Sequence, residues 1–377
     1  MVSRPPVVIL AGIRWDFLWQ RHQTLAIRFA RAGYPTVFVE TTGLANLRPR
    51  RATLRRVLSR VGRSRVSGKK PLHGPGLTVY APLAFPPTLG AFRRSNRRIF
   101  LPRALRDLEK AAGPSPIVVA YPPSRTTLDL ISGLGPRLVL YDCSDDYEHF
   151  PGAPRDIRDT ERELLSLADL VSCTSTHLLQ KVKPLRPDAF LSGPAVDYER
   201  FAALQGPRLV EEARTVCFFG HVSRERTDFA ALRAIAGAGF IVRLVGGLGR
   251  VERGFLKTPG VDYRGEVSHA GLPAALAGVD AFVLPYEINA LTRGISPAKT
   301  YECLATGKPV VAAPLPAMEE LAGHVYLARK PEDYVETLRS LEETETEEGA
   351  RARIGLARKN SWVARFAELE EILCRAL

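Results

Sequence analysis

Lys299 and Glu302 stand three residues apart in the run that begins Pro285-Tyr-Glu-Ile-Asn289-Ala-Leu-Thr292 and continues through Ser296-Pro297 to Gly307-Lys-Pro309-Val-Val311. A helix opening at about Ser296-Pro297 directs its free amides and positive end at whatever lies before it. With an ammonium in the first turn, that end is a ready site for a diphosphate. Glu302 shares the helix face, and a carboxylate there can accept from both hydroxyls of a ribose. The same run also reads as an ordinary capped helix with a solvated lysine and glutamate.

Other chemistry-bearing residues follow apolar runs. Gly220 and His221 come directly after Val216–Phe219, and a glycine there lets backbone amides approach a ligand closely. Gly246-Gly247-Leu248-Gly249 lacks the full G-x-G-x-x-G spacing and reads as a tight turn under a nucleotide. Near the start, Gly12 ends an apolar run, so its loop can approach a phosphate. Trp15, Asp16, Trp19 and Arg21 then offer flat faces and polar contacts to an acceptor, against the alternative that the tryptophans are core. Asp142, Asp145 and Asp146 follow Leu138–Tyr141; Asp142 is the candidate to take the proton of an acceptor hydroxyl, while Asp145 and Asp146 read as caps. A metal held by these aspartates is not expected, because lysine and arginine are placed to neutralise phosphate. His149, His177 and His269 share no metal or helical spacing and are given no role.

Parallel strands must position these loops. Strand-sized apolar runs are expected near Val7–Leu10, Thr36–Val39, Leu77–Tyr80, Ile117–Ala120, Leu138–Tyr141 and Leu170–Cys173. Helical patterns near Gln23–Arg31, Asn96–Ala112, Arg155–Leu167 and Thr176–Val182 separate them. The alternation restarts at Val216–Phe219, Ile241–Val245, Val261–Tyr263, Ala281–Leu284 and Val310–Ala313, after a linker near Ser192–Gly206. The expected architecture is α/β: two Rossmann-like, doubly wound domains facing a cleft, residues 1–195 and 205–358. A C-terminal helix over residues 359–377 returns to the first domain, with Trp362, Phe366, Leu369 and Leu373 at helical spacing.

The length of 377 residues suits two cores rather than one, and 45% apolar with 25% charged residues excludes wholesale disorder. No apolar run reaches the roughly 20 residues of a membrane span, and the first residues lack a signal-peptide core, so a cytoplasmic protein is expected. Five scattered cysteines suggest small buried residues rather than a disulfide framework or zinc cage. The net charge of +13 is concentrated: Arg48–Lys70 holds ten Arg or Lys and no acid. That stretch is either an amphipathic helix on an anionic membrane surface, at the inner face, or a solvated loop. Ser95–Arg106 adds to one positive face, which points to a hydroxyl acceptor that is lipid-linked or otherwise anionic. No nucleic-acid motif accompanies the charge, and no nucleic acid is expected as a partner.

Beyond the Pro285–Val311 run, the segments Trp15–Gln23, Tyr141–Tyr147, Ala168–Ser175, Val196–Phe201 and Phe219–Asp228 occur in an order that resembles family 4-type glycosyltransferases. The likeness is to the bacterial teichuronic-acid and exopolysaccharide subgroup. It implies the two-Rossmann GT-B fold, a nucleoside diphosphate sugar as donor (UDP-, GDP- or dTDP-linked), no required cofactor or metal, and retention at the anomeric carbon. It implies that Glu302 binds the ribose and that Lys299 and Arg226 bind the diphosphate; many members carry a His where this chain has Tyr141-Asp142, and Asp142, Lys299 and Arg226 are the expected catalytic residues. Many members place a second glutamate seven residues before the first; here that position is Gly294, and Asn289, Thr292 and, less well, Glu287 are candidates to replace it. Rival readings are a sugar-nucleotide epimerase or hydrolase, a nucleic-acid-binding protein, and a silent nucleotide-sugar-binding scaffold.

Overall fold

The computed structural model describes residues 4–16, 19–40, 76–82, 90–150, 153–205 and 213–377. Arg48–Lys70 lies outside them. The chain divides into two compact units: 1–174 with 178–192 and 369–377, and 175–177 with 193–368.

Among the described residues the first unit is built on β1 (Val7–Leu10), β2 (Thr36–Val39), β3 (Leu77–Tyr80), β4 (Ile117–Ala120), β5 (Leu138–Cys143), β6 (Leu170–Cys173) and β7 (Phe190–Leu191). They form a parallel sheet in the order β3-β2-β1-β4-β5-β6-β7, with Val7 in register with Thr36 on one side and Ile117 on the other. The central strands β1 and β4 are buried on both faces, so they are continuous apolar runs rather than alternating ones. Strand order reverses between β1 and β4, and ligands of open α/β sheets gather at such a reversal, beyond the carboxyl ends of the strands.

The second unit repeats this plan with β8 (Thr215–Phe219), β9 (Ile241–Val245), β10 (Val261–Tyr263), β11 (Ala281–Leu284), β12 (Val310–Ala312) and β13 (Tyr326–Leu327). The parallel order is β10-β9-β8-β11-β12-β13, so the reversal falls between β8 and β11. The loops that open there start at Gly220 and Pro285.

Several expectations need correction. The Ser192–Gly206 stretch is not an open linker throughout, because Tyr198–Ala202 is helical and Phe201 is buried in the second unit's core. The unit boundary falls at Ser192/Gly193, and the last helix, Trp362–Ala376, is divided, with residues from Leu369 onward belonging to the first unit. Within that unit Glu370 accepts from Tyr34 Oη at 3.0 Å and pairs with Arg4 at 2.6 Å. The helix Arg125–Leu134 and the two-residue strands β7 and β13 were not expected. Four cysteines are buried, but Cys374 is exposed.

Candidate functional site

The Lys299 ammonium is held at the carboxyl end of β8. The helix Ala298–Ala305 opens after Pro297, which has no N–H to satisfy, and Lys299 is its second residue. Its Nζ donates to the Phe219 carbonyl at 2.5 Å and lies 4.4 Å from the centre of the Phe218 ring and 5.6 Å from that of Tyr286. Among the described residues no carboxylate lies within ion-pair distance of it, so its charge is balanced only by a carbonyl dipole and aromatic faces.

Glycine makes the space. Gly220 has φ +108°, and a Cβ there would lie 2.6 Å from Lys299 Nζ. Gly246 has φ +135°, and its Cβ would lie 2.0 Å from the Gly220 carbonyl oxygen, so the two turns close on each other as only glycine allows. Tyr263 Oη donates to the Gly246 carbonyl at 3.0 Å and fixes the second turn.

The loops after β8 and β11 are stitched together. Asp228 N donates to the Pro285 carbonyl at 2.8 Å and Glu287 N to the Arg226 carbonyl at 3.1 Å. This brings Gly220, His221 and Arg226 beside the run leading to Lys299. Burial holds the His221 pKa below its usual value, and the Arg226 and Lys299 cations lower it further. Two cations close enough to lower an imidazole's pKa contribute a positive potential there.

Glu302 is partnered by His269, a residue assigned no role from its spacing. Its carboxylate lies 3.6 Å from His269 Nε2. The Arg200 guanidinium donates to His269 Nδ1 and, at 3.3 Å, to the His269 carbonyl, and it pairs with Asp197 at 3.2 Å. With Nδ1 accepting from Arg200, Nε2 is the ring nitrogen that carries a proton, toward Glu302. Nothing in local spacing announces this contact, since the sheet brings the two residues together.

Two of the candidates for the missing glutamate, Asn289 and Thr292, bond to their own loop, whereas Glu287 is exposed. Asn289 Oδ1 accepts from Leu291 N at 3.0 Å and Thr292 N at 3.1 Å, while Thr292 Oγ1 accepts from Asn289 N at 2.9 Å and donates to the Glu287 carbonyl. This is a reciprocal capping box for the short helix Ala290–Arg293, and Thr292 is 0% exposed. Their polar atoms close the loop, and Thr292 is inaccessible to a sugar. Ser296, expected to open the helix, precedes Pro297 and makes no side-chain cap.

In the first unit, Asp142 is 0% exposed. It pairs with Arg21 Nε at 2.6 Å and accepts from Ser172 Oγ at 2.7 Å, and Arg21 also donates to Ser192 Oγ at 2.8 Å. Instead of an accessible base, Asp142 is a buried counter-ion that holds Arg21 between strands. Trp15 is likewise corrected: it is buried edge-on against Phe38 at 4.9 Å, whereas Trp19 is 38% exposed and donates from Nε1 to Thr24 Oγ1 at 2.9 Å. Asp16 is exposed and pairs with Arg14. Gly12 has φ +68° and would place a Cβ 2.7 Å from Pro122, which accounts for its glycine locally.

Residues 224–371 match the family described as glycosyl transferase-like, which covers the Lys299 and Glu302 helix and most of the second unit. The two parallel-sheet units have the GT-B fold, and the matched segment makes the second unit similar to glycosyl transferases. Among curated proteins it is 27% identical over 207 residues to TuaH of Bacillus subtilis (strain 168), named as a teichuronic acid biosynthesis glycosyltransferase. That match takes in 48% of this chain and 52% of TuaH, about half of each. In fold, the chain resembles HepE from Anabaena in complex with UDP-glucose, with a TM-score of 0.65 and 15% identity over 98% of this chain and 99% of that one. A glycosyltransferase from Rickettsia africae gives a TM-score of 0.65 and 12% identity over 99% of both chains.

Proposed function

We propose that the protein transfers a hexosyl group from a nucleoside diphosphate sugar to an acceptor hydroxyl, with retention at the anomeric carbon and no required metal. The observation that carries this reading is the Lys299 ammonium, held beside Gly220 at the strand reversal with no carboxylate partner among the described residues. In this reading Lys299, Arg226, the His221 loop and the amides opening the 298–305 helix receive the diphosphate. Glu302 takes the ribose hydroxyls, positioned by His269 and Arg200. As the bond from the anomeric carbon to the diphosphate oxygen breaks, a bond to the acceptor oxygen forms, and the acceptor proton passes to the departing diphosphate. Lys299 and Arg226 stabilise the negative charge that develops on that leaving group. Asp142 holds Arg21 and does not act as the base.

Uridine is the first base to test, because HepE is described with UDP-glucose; guanosine and deoxythymidine follow. The acceptor is a polysaccharide precursor, lipid-linked at the inner membrane face. Attachment to that face is peripheral in this reading; among the described residues no helix is long and apolar enough to cross a membrane.

The test is release of nucleoside diphosphate from a panel of sugar donors, with and without candidate glycan acceptors, in the presence and absence of EDTA. Acceptor-dependent release, unaffected by EDTA and lowered about 10²–10³-fold in kcat by Lys299→Ala, upholds the reading. Release at the same rate without acceptor contradicts transfer in favour of a hydrolase.

A further inference from the structure

A second cationic feature lies in the first unit. A cavity of about 440 Å³ is lined by Gly90, Arg93, Arg94, Arg97, Arg98 and Arg125. Four of these arginines come from the start of a continuous helical segment, Gly90–Ser95, a π-helical turn Asn96–Phe100, then Leu101–Ala112. Their spacing of one and four residues gathers the side chains on one face. The fifth is the first residue of the helix Arg125–Leu134, where the helix dipole is positive and a cation is disfavoured.

The charges do not balance. Arg93 pairs with Asp156 at 2.8 Å, Arg97 with Asp129 at 2.7 Å and Arg125 with Glu163 at 2.6 Å. Arg94 and Arg98 are exposed, and among the described residues neither has a carboxylate within ion-pair distance. Five guanidinium groups against three carboxylates leave two positive charges uncompensated at one cavity. Such like-charge crowding disfavours the folded state unless an anion relieves it. Arginine's planar fork suits phosphate oxygens, which it can take two at a time.

We propose that this pocket binds a doubly charged phosphate or diphosphate group, the anionic portion of the acceptor. The word acceptor rests on the glycosyl-transfer reading; the phosphate site does not.

Calorimetric titration of inorganic pyrophosphate into the full chain tests it, in a Lys299→Ala background that disables the donor site. The same titration is run with Arg94→Ala and Arg98→Ala added, and with Arg94→Lys and Arg98→Lys as charge-keeping controls. These two side chains are exposed, and thermal melting checks that each variant is folded. We expect the alanine pair to weaken pyrophosphate binding at least tenfold, about 1.4 kcal/mol, and the lysine pair to weaken it less. Failure of pyrophosphate to bind, or equal binding to the parent and the alanine pair, overturns the proposal whatever nucleotides do at the donor site. Where pyrophosphate binds as expected, vesicles containing phosphatidylglycerol, set against phosphatidylcholine alone, separate the sources. Capture that pyrophosphate competes away assigns the pocket to a lipid headgroup. Its absence assigns the pocket to a soluble phosphate-bearing acceptor.

Discussion

Replacing Gly220 with alanine should damage nucleotide binding through Lys299. The new Cβ would lie 2.6 Å from Nζ and 3.1 Å from Cε, whereas ordinary contact begins at 3.4 Å. The ammonium must therefore retreat by about 0.8 Å. For an anion initially about 4 Å away at an effective dielectric of about 20, that retreat costs about 0.7 kcal/mol for each phosphate charge. Two charges give about 1.4 kcal/mol, or about tenfold in Kd. Alanine at φ +108° also strains the backbone, by about 1–3 kcal/mol of folding stability. The assay is a double-mutant cycle of uridine diphosphate affinity, read by calorimetry, on the wild type, Gly220→Ala, Lys299→Ala and the double variant. Melting temperatures report the strain separately. Because the predicted loss acts through the ammonium, Gly220→Ala should cost little further affinity once Lys299 is gone. Equal losses in both backgrounds, or none in either, would refute the reasoning.

Three further outcomes are expected. Substituting His269 with alanine should raise the donor KM several-fold with kcat nearly unchanged, because the proposed role of Glu302 is to hold the ribose, a part of the donor that does not react; a fall in kcat at constant KM would place His269 in the chemistry instead. Asn289→Ala should cost about 1 kcal/mol of stability in thermal melting, through loss of its bonds to Leu291 N and Thr292 N. Its donor KM should move little, and a large rise would return Asn289 to the sugar site. His22 is buried, and desolvation depresses its pKa from 6.5 to about 3. The unfolded chain therefore binds a proton in that window that the folded chain refuses, so stability falls as pH drops from 6.5 toward 3. The slope is about 1.4 kcal/mol per pH unit from this group. Denaturant melts at stepped pH should show that slope reduced by the same amount in His22→Gln; an unchanged slope would refute the assignment.

The sheets were legible because strands covered on both faces must be uninterrupted apolar runs, and the runs at Val7, Ile117, Thr215 and Ala281 are just that. Strands β7 and β13 have two residues each, too few to show a pattern. The helix at Arg125 is rich in threonine, serine and glycine, whose local preferences point elsewhere. Gly220, Gly246 and Lys299, which the fold brings together, stood out because a strand end with close backbone approach and a cation leaves a compositional mark. Thr292 misled because a side chain capping its own loop and one offered to a ligand have the same letters. Asp142 misled in a similar way, since a carboxylate after a strand can face a ligand or, as here, an arginine from a neighbouring element. His269 was invisible because its partner Glu302 is distant in sequence and the contact exists only once the sheet has formed.

The most direct measurement for the central claim is calorimetric binding of uridine, guanosine, adenosine and deoxythymidine diphosphates to the wild type, Lys299→Ala and Glu302→Ala. The account predicts that one diphosphate binds at micromolar strength and that each substitution weakens it at least tenfold, about 1.4 kcal/mol or more. Binding of none of the four, or binding indifferent to both residues, would contradict it.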